Sequence, residues 1–374
     1  MMKLSKKRIA LLIAAVVTLA GAGVCEGAAQ HLRRTQISQQ AAERWEGDGT
    51  LSYAQVSAFL TDDAGFYPTS ADTIKESIDK AMVTASLEPA NADAKLWYAC
   101  SSRTYGTVSV RGTKRYASEA SAIAIDGDFF RMHPWHLADG SYLSPDDLMQ
   151  DRVVIDTQLA WNAFGSSEVA GLELEIDSKI YQVAGVIEPE TDAASKTAYG
   201  DAAHVYLPFA ALEDGEDAYA DPYADPYADP YEMETAAPPA NKVTCYEAVL
   251  PDPVRGFAEK TLTEALDTEE GTHIVVNTSR NSLKSRWNRL WHLREMVISS
   301  DAIAYPFWEN AARLNDFSTS LLLLCSCILL IYPVLLGVWM LWKGYRKLEG
   351  WIARKRIESK RKFRTIERDP YSID

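Results

Sequence analysis

The sequence predicts an α+β protein. Its core is a two-lobed extracytoplasmic domain, a split βαβ lobe with an inserted β-rich lobe, bracketed by two transmembrane helices. Three observations predict this. Apolar runs occupy 9–24 and 320–342 of the 374 residues. A strand–helix–strand pattern occurs twice, once before residue 121 and once after residue 241. Between the copies, 121–212 carries short strand-like segments separated by turn residues.

Lys3, Lys6, Lys7 and Arg8 precede the first apolar run, as in a signal peptide or an anchor. An uncleaved anchor over 9–25 is favoured, because a second run follows and the pair would bracket one domain. The second run has no charged residue from 320 to 342. At about 1.5 Å per residue it spans the roughly 30 Å hydrocarbon core. Pro333 within it is tolerable in a membrane helix, and Trp339, Trp342 and Tyr345 suit the interface. Residues 343–374 form a basic tail containing Arg354, Lys355 and Arg356. The positive-inside rule therefore places 1–8 and 343–374 in the cytoplasm and 26–319 outside. The net charge is −14 although both ends are basic, so the outer domain is strongly acidic. That excludes nucleic acid as its expected partner.

Within 26–319, residues 30–42 suggest a polar helix and 51–60 a strand. A helix follows over 70–86, with Ile74, Ile78, Ala81 and Met82 at helical spacing and Ser70 as its cap. Two strands are expected at 95–100 and 105–111. After the insertion, 213–241 repeats Tyr-Ala-Asp-Pro. Proline every four residues denies a helix or a central strand there, so an exposed low-complexity loop is expected. Strand 243–250, helix 253–266 and strand 273–277 complete the pattern. The split lobe is thus assigned to 50–120 and 242–280, and the inserted lobe to 121–212. A stalk spans 281–319 and contains an Arg- and Trp-rich helix over 281–298, suited to a stalk or to the lipid surface. A basic helix over 351–367 suits anionic headgroups or a cytoplasmic protein.

Candidate chemistry is sparse. Cys100 and Cys245 both fall in strand-like segments of the outer domain, where an oxidising exterior permits a disulfide. His133 and His136 are three apart, but Pro134 disfavours a helical pair and no acid or cysteine has motif spacing to them. There is no nucleophile elbow, phosphate-binding glycine loop or kinase signature. No enzyme activity, cofactor or metal is expected. Arg354, Lys355 and Arg356 are candidates for cytoplasmic coupling or lipid contact.

In its order of short motifs, 124–212 resembles the periplasmic core domain of MacB-like ABC transporter permeases (the FtsX/MacB-like family). The motifs are Gly-Asp-Phe-Phe at 127–130, a Leu-x-x-Gly turn at 137–140, Ser-x-x-Asp at 144–147 and Val-Val-Ile running into Phe-Gly-Ser over 153–166. Strands at 171–176, 181–186 and 205–208 follow, the last in Tyr-Leu-Pro-Phe. The resemblance covers most of 9–342. It implies an outer domain without catalytic residues, which handles substrate or partners. A cytoplasmic ABC ATPase would move it through the membrane helices. Such permeases normally carry three spans after this domain, and one is seen here. The resemblance therefore implies a partial or accessory subunit working with an ATPase, other permease subunits and the bilayer, as a homo- or hetero-oligomer. The alternative is a stand-alone surface receptor or adhesion protein without transport activity, motivated by the acidic domain and the Tyr-Ala-Asp-Pro loop.

Overall fold

The computed structural model describes residues 6–46, 51–61, 64, 66–89, 94–114, 116–147, 149–213, 242–266, 272–292 and 303–367. Its elements in chain order begin with α1 (Lys6–Thr35), a 3-10 turn (Ile37–Gln39), α2 (Ala41–Glu46), β1 (Tyr53–Phe59), α3 (Pro68–Thr84), β2 (Tyr98–Arg111) and β3 (Ser118–Gly127). Next come α4 (Phe129–Met132), β4 (Leu137–Gly140), β5 (Arg152–Asp156), α5 (Thr157–Ala163), β6 (Glu173–Ile176), β7 (Lys179–Ile187), α6 (Ala193–Tyr199), β8 (Ala203–Pro208) and α7 (Ala210–Glu213). The chain closes with β9 (Cys245–Pro251), α8 (Phe257–Leu266), β10 (His273–Val276), a second 3-10 turn (Asn277–Ser279), α9 (Leu283–Trp291) and α10 (Phe307–Glu367). Residues 1–30 with 320–374 form one compact unit, and 31–319 form another.

In the second unit, the described strands make a ten-stranded sheet ordered β10-β1-β9-β2-β3-β8-β5-β7-β4, with β6 beside β2 and β7. The units β1–α3–β2 and β9–α8–β10 interleave. β9 lies antiparallel between β1 and β2, and β1 lies antiparallel between β9 and β10. Each strand–helix–strand unit therefore leaves a gap that the other fills, which is the split βαβ layout. The inserted strands join the same sheet through the long β2–β3 ladder, and β8 then pairs parallel with β3. The two expected lobes thus share one sheet.

Both faces of this sheet are buried, so its central strands read as nearly continuous burial. β1 buries six of its seven residues and β9 all seven. On one face Val56, Ala58, Ala122, Ala248 and Leu250 pack with Ile74, Ile78 and Met82 of α3 and with Leu262 of α8. On the other face Phe59, Tyr98, Ile123, Ile125, Val249 and Tyr206 pack with Ala41 and Ala42 of α2, Phe129 and Phe130 of α4, Trp135 and Trp308. At about 25 cal/mol per Å² of apolar area removed from water, these two layers dominate the stability of the domain.

Several local expectations change. The strands expected at 95–100 and 105–111 are one fourteen-residue strand, β2. A bulge between Thr104 and Gly106 absorbs the polar break while the ladder continues on both sides. α3 starts at Pro68 rather than beyond Ser70, because proline presets the first helical turn. Ser70 instead accepts from the Tyr67 backbone N–H at 3.4 Å. The expected Leu-x-x-Gly turn is edge strand β4, paired with β7. The helix expected over 30–42 is the end of α1, a 3-10 turn and α2. The basic helix expected over 351–367 is the end of α10. Of the helix expected over 281–298, α9 is described to Trp291, and 293–302 lie outside the described residues. The loop of 213–241 lies outside them too, apart from Glu213 at the end of α7. The strand pair β2–β3 also explains the Gly-Asp-Phe-Phe motif. Gly127 has φ +70°, and a Cβ there would meet the Ala99 carbonyl oxygen at 2.6 Å.

In the first unit, α1 and α10 are each long and apolar enough to cross a membrane. They present Ile13, Val16, Val17, Ile328, Val334 and Leu335 outward. Gly21 lets them approach closely, since a Cβ there would lie 3.2 Å from Leu329. The Tyr332 hydroxyl donates to the Leu11 carbonyl at 3.1 Å. Beyond the apolar run, Lys343, Arg346 and Lys355 sit over the rings of Trp339, Trp342 and Trp351 at 3.9, 5.1 and 4.3 Å. The aromatic and basic side chains of this stretch thus pair one helical turn apart, as at a membrane interface.

Candidate functional site

The sheet's second face carries a patch of buried polar side chains where the start of α10 crosses it. Alternation along β1 and β9 places Gln55, Ser57, Cys245 and Glu247 there, and β2 adds Cys100 and Ser102. Glu247 is 1% exposed. Ser57 Oγ donates to its Oε1 at 2.6 Å, and Asn277 Nδ2 donates to Ser57 Oγ at 2.8 Å. His133 Nε2 donates to its Oε2 at 2.8 Å, and Trp308 Nε1 donates to the same oxygen at 3.2 Å. Burial alone would raise the Glu247 carboxyl. The His133 ring and the three hydrogen bonds outweigh burial and hold it below the usual carboxylate range. One carboxylate therefore ties together β1, β9, the turn after α4 and the first turn of α10.

A second cluster grips the next turns of α10. Arg280 is buried and donates from Nη1 and Nη2 to Glu309 at 2.7 and 2.8 Å. Its Nε donates to Asp316 at 2.7 Å, and its Nη1 reaches Gln39 Oε1 at 3.3 Å. Arg289 pairs with Asp316 at 2.6 Å and Arg313 with Glu309 at 3.0 Å. Burial opposes the charge of Arg280, but Glu309 and then Asp316 outweigh it and hold the guanidinium protonated. Lysine is a poor replacement, because a point charge cannot make the planar fork to Glu309 and bond Asp316 as well. Gln55 extends the joint by accepting from the Ala41 N–H at 2.9 Å and donating to the Ser38 carbonyl at 2.7 Å. The chain leaving α1 and the chain entering α10 are thereby fastened to the same strands.

Of the sequence-derived residues, Cys100 and His133 are brought together, beside Glu247, while His136, Arg354, Lys355 and Arg356 lie elsewhere. Cys100 and Cys245 lie on adjacent strands as buried free thiols. Cys100 stands opposite Glu247, and Ser102 stands opposite Cys245. The two cysteines are thus diagonal, and diagonal cross-strand neighbours lie about 7–8 Å apart, wider than the usual disulfide span. Burial, then the Glu247 carboxylate, push both thiols up. Intact protein should therefore resist alkylation at both positions. Unfolding without reductant should expose both to the reagent by mass spectrometry, whereas modification only after reduction would establish a disulfide. Arg354, Lys355 and Arg356 are exposed on α10 in the other unit.

Cys100, His133 and Glu247 place one ligand-type atom each within 4.8 Å of one another. Their donor types suit a transition metal. Both Glu247 oxygens already accept hydrogen bonds, however, so the carboxylate is satisfied by protein groups. His136, the other half of the sequence pair, is exposed and lies 3.2 Å from Glu188. A second buried acid, Asp156, caps α5 through the Leu159 N–H at 2.6 Å and accepts from Tyr199 and the His204 N–H. That is a structural cap. The site is thus a buried joint made of hydrogen bonds and ion pairs. Sequence reasoning missed Glu247, Arg280, Glu309 and Asp316, since Ser57 lies 190 residues from Glu247, and Arg280 lies 29 from Glu309 and 36 from Asp316.

A mixed α/β domain built on one large sheet, in a chain that also has two helices able to cross a membrane, fits a membrane protein with an extracellular domain. The chain belongs to the MacB-like periplasmic core domain family, whose model matches residues 9–238. Proteins of this family are ABC transporter permease components, which are not enzymes in the usual sense. Similar solved structures include the periplasmic region of MacB from Actinobacillus actinomycetemcomitans, at 16% identity and a TM-score of 0.37 over 60% of this chain and 89% of that one. The extracellular domain of the noncanonic ABC-type transporter YknZ from Gram-positive bacteria is 12% identical, with a TM-score of 0.35 over 59% and 99%. A permease-protein domain from Porphyromonas gingivalis is 15% identical, with a TM-score of 0.32 over 59% and 88%. No curated protein matches the chain.

Proposed function

We propose that the chain is a permease-like or accessory subunit of an ABC transport system, with both termini cytoplasmic. Its outer domain contacts substrate or partner proteins and moves with the membrane helices. The observation that carries this reading is the buried joint. Trp308, Glu309, Asp316 and Thr319 of α10 all bond to the outer domain, so displacement of this stretch of helix is passed to the sheet. A rigid ionic and hydrogen-bonded joint suits transmission of motion better than a flexible tether would.

The ATPase contact is assigned to the tail by Arg354, Lys355 and Arg356, with anionic lipid as the competing ligand of the same charges. Full-length protein carrying glutamate at all three positions should insert normally and bring down less of a cytoplasmic ABC ATPase than the unaltered chain. Unchanged recovery with altered topology or membrane retention would assign the three charges to lipid.

A further inference from the structure

Helix α9 is inside out for a surface helix. In a soluble domain the apolar stripe faces the core and the charges face water. Here Arg286 is buried, while Leu283, Trp287 and Trp291 are 67%, 47% and 74% exposed. These three residues recur every fourth position and so form one stripe along the helix. The two tryptophan rings meet edge to face, 6.1 Å apart. Both arginines of the helix are engaged internally, while Lys284 is exposed. Arg286 Nη2 donates to the Thr319 carbonyl at 3.1 Å, and Arg289 pairs with Asp316 at 2.6 Å.

These anchors fix where the stripe lies along the chain's path into the membrane. Thr319 is the residue immediately before the uncharged apolar run of 320–342. A helix bonded to its carbonyl sits at the level where that run begins, which is the headgroup region of a bilayer. Tryptophan prefers this depth, since its ring is apolar and its N–H needs a polar partner.

We propose that α9 is an interfacial helix, with Leu283, Trp287 and Trp291 seated in the headgroup–acyl boundary of the outer leaflet. Its arginines are engaged by the protein, so seating depends on apolar contact rather than on lipid charge. It would hold the joint at a fixed depth, making the membrane surface the fulcrum against which the outer domain moves. The inference rests on α10 spanning the membrane.

Full-length protein labelled with fluorotryptophan, in phosphatidylcholine nanodiscs, tests this by fluorine NMR. Trp287→Phe and Trp291→Phe assign the two signals, and both sites are exposed enough to tolerate the change. A nitroxide-labelled lipid should relax both signals several-fold more than an aqueous gadolinium chelate does. Adding anionic lipid should change little. Stronger relaxation by the aqueous chelate would overturn the proposal, as would protection from both agents, which means a protein covers the face. Dependence of the effect on anionic lipid would overturn its apolar basis. Trp339 and Trp342 are the internal control. If they fail to sense the lipid label, the spanning assignment fails instead.

Discussion

Replacing Arg280 with alanine is expected to destabilise the outer domain by about 3–5 kcal/mol, the usual cost of removing one partner from a buried ion pair. The change leaves Glu309 and Asp316 buried, each with one remaining arginine, Arg313 and Arg289 respectively, in place of the two that each has when Arg280 is present. At roughly 2–4 °C per kcal/mol for a domain of this scale, the melting temperature should fall on the order of 10 °C. Arg280→Lys should recover only part of this, since one ammonium cannot make both the fork to Glu309 and the bond to Asp316. Neutralising the three, as Arg280→Met with Glu309→Gln and Asp316→Asn, should recover more, because no carboxylate is then left buried without Arg280 and the arginines that lose their acceptors, Arg289 and Arg313, lie nearer the surface. Thermal unfolding of the full chain in detergent measures all three. A triple variant no more stable than Arg280→Ala would contradict the assignment of the loss to unpaired charge.

The second large effect is expected at Glu247. Glu247→Ala removes the common acceptor of Ser57, His133 and Trp308, and a loss of about 3–5 kcal/mol is again expected. Its pH dependence separates charge from packing. The folded carboxyl lies below its ordinary value of 4.5. Its contribution to stability is therefore fully present above pH 4.5 and is lost as the pH falls through the lower folded value. Glu247→Gln should lower stability at neutral pH and flatten this part of the acid limb. An unaltered acid limb in denaturation curves taken across that range would show that Glu247 is not the group responsible.

The parts of this structure visible in the sequence are those set by local pattern. The apolar runs at 9–24 and 320–342 and the strands β1, β9 and β10 fall near their expected places. The motifs over 127–166 lie within the stretch, 9–238, that the family model matches. The joining of the two βαβ units into one split lobe was legible from their repeated pattern, whereas the strand order that puts β9 between β1 and β2 was not, because it depends on pairing across the whole inserted segment. The joint was invisible for a related reason. Gln55 and Ser57 alternate with Ala54, Val56 and Ala58, a pattern equally suited to a solvent-facing side. Only the packing of α2 and α10 over that face turns their polar groups inward. Arg280 and Asp316 likewise read as ordinary charged residues flanking helices until the fold closes them on one another. The inversion of α9 had a trace in Trp287 and Trp291, but periodicity cannot say which side of a helix is covered.

The most direct test of the central claim, that this chain works within an ABC transport system, is quantitative recovery of its partners. Tagged full-length protein, solubilised from its native membranes in mild detergent, should bring down a cytoplasmic ABC ATPase or a multi-span permease in near-stoichiometric amount by mass spectrometry. Repeated recovery of the chain alone, from preparations in which its own fold is intact by thermal unfolding, would contradict it.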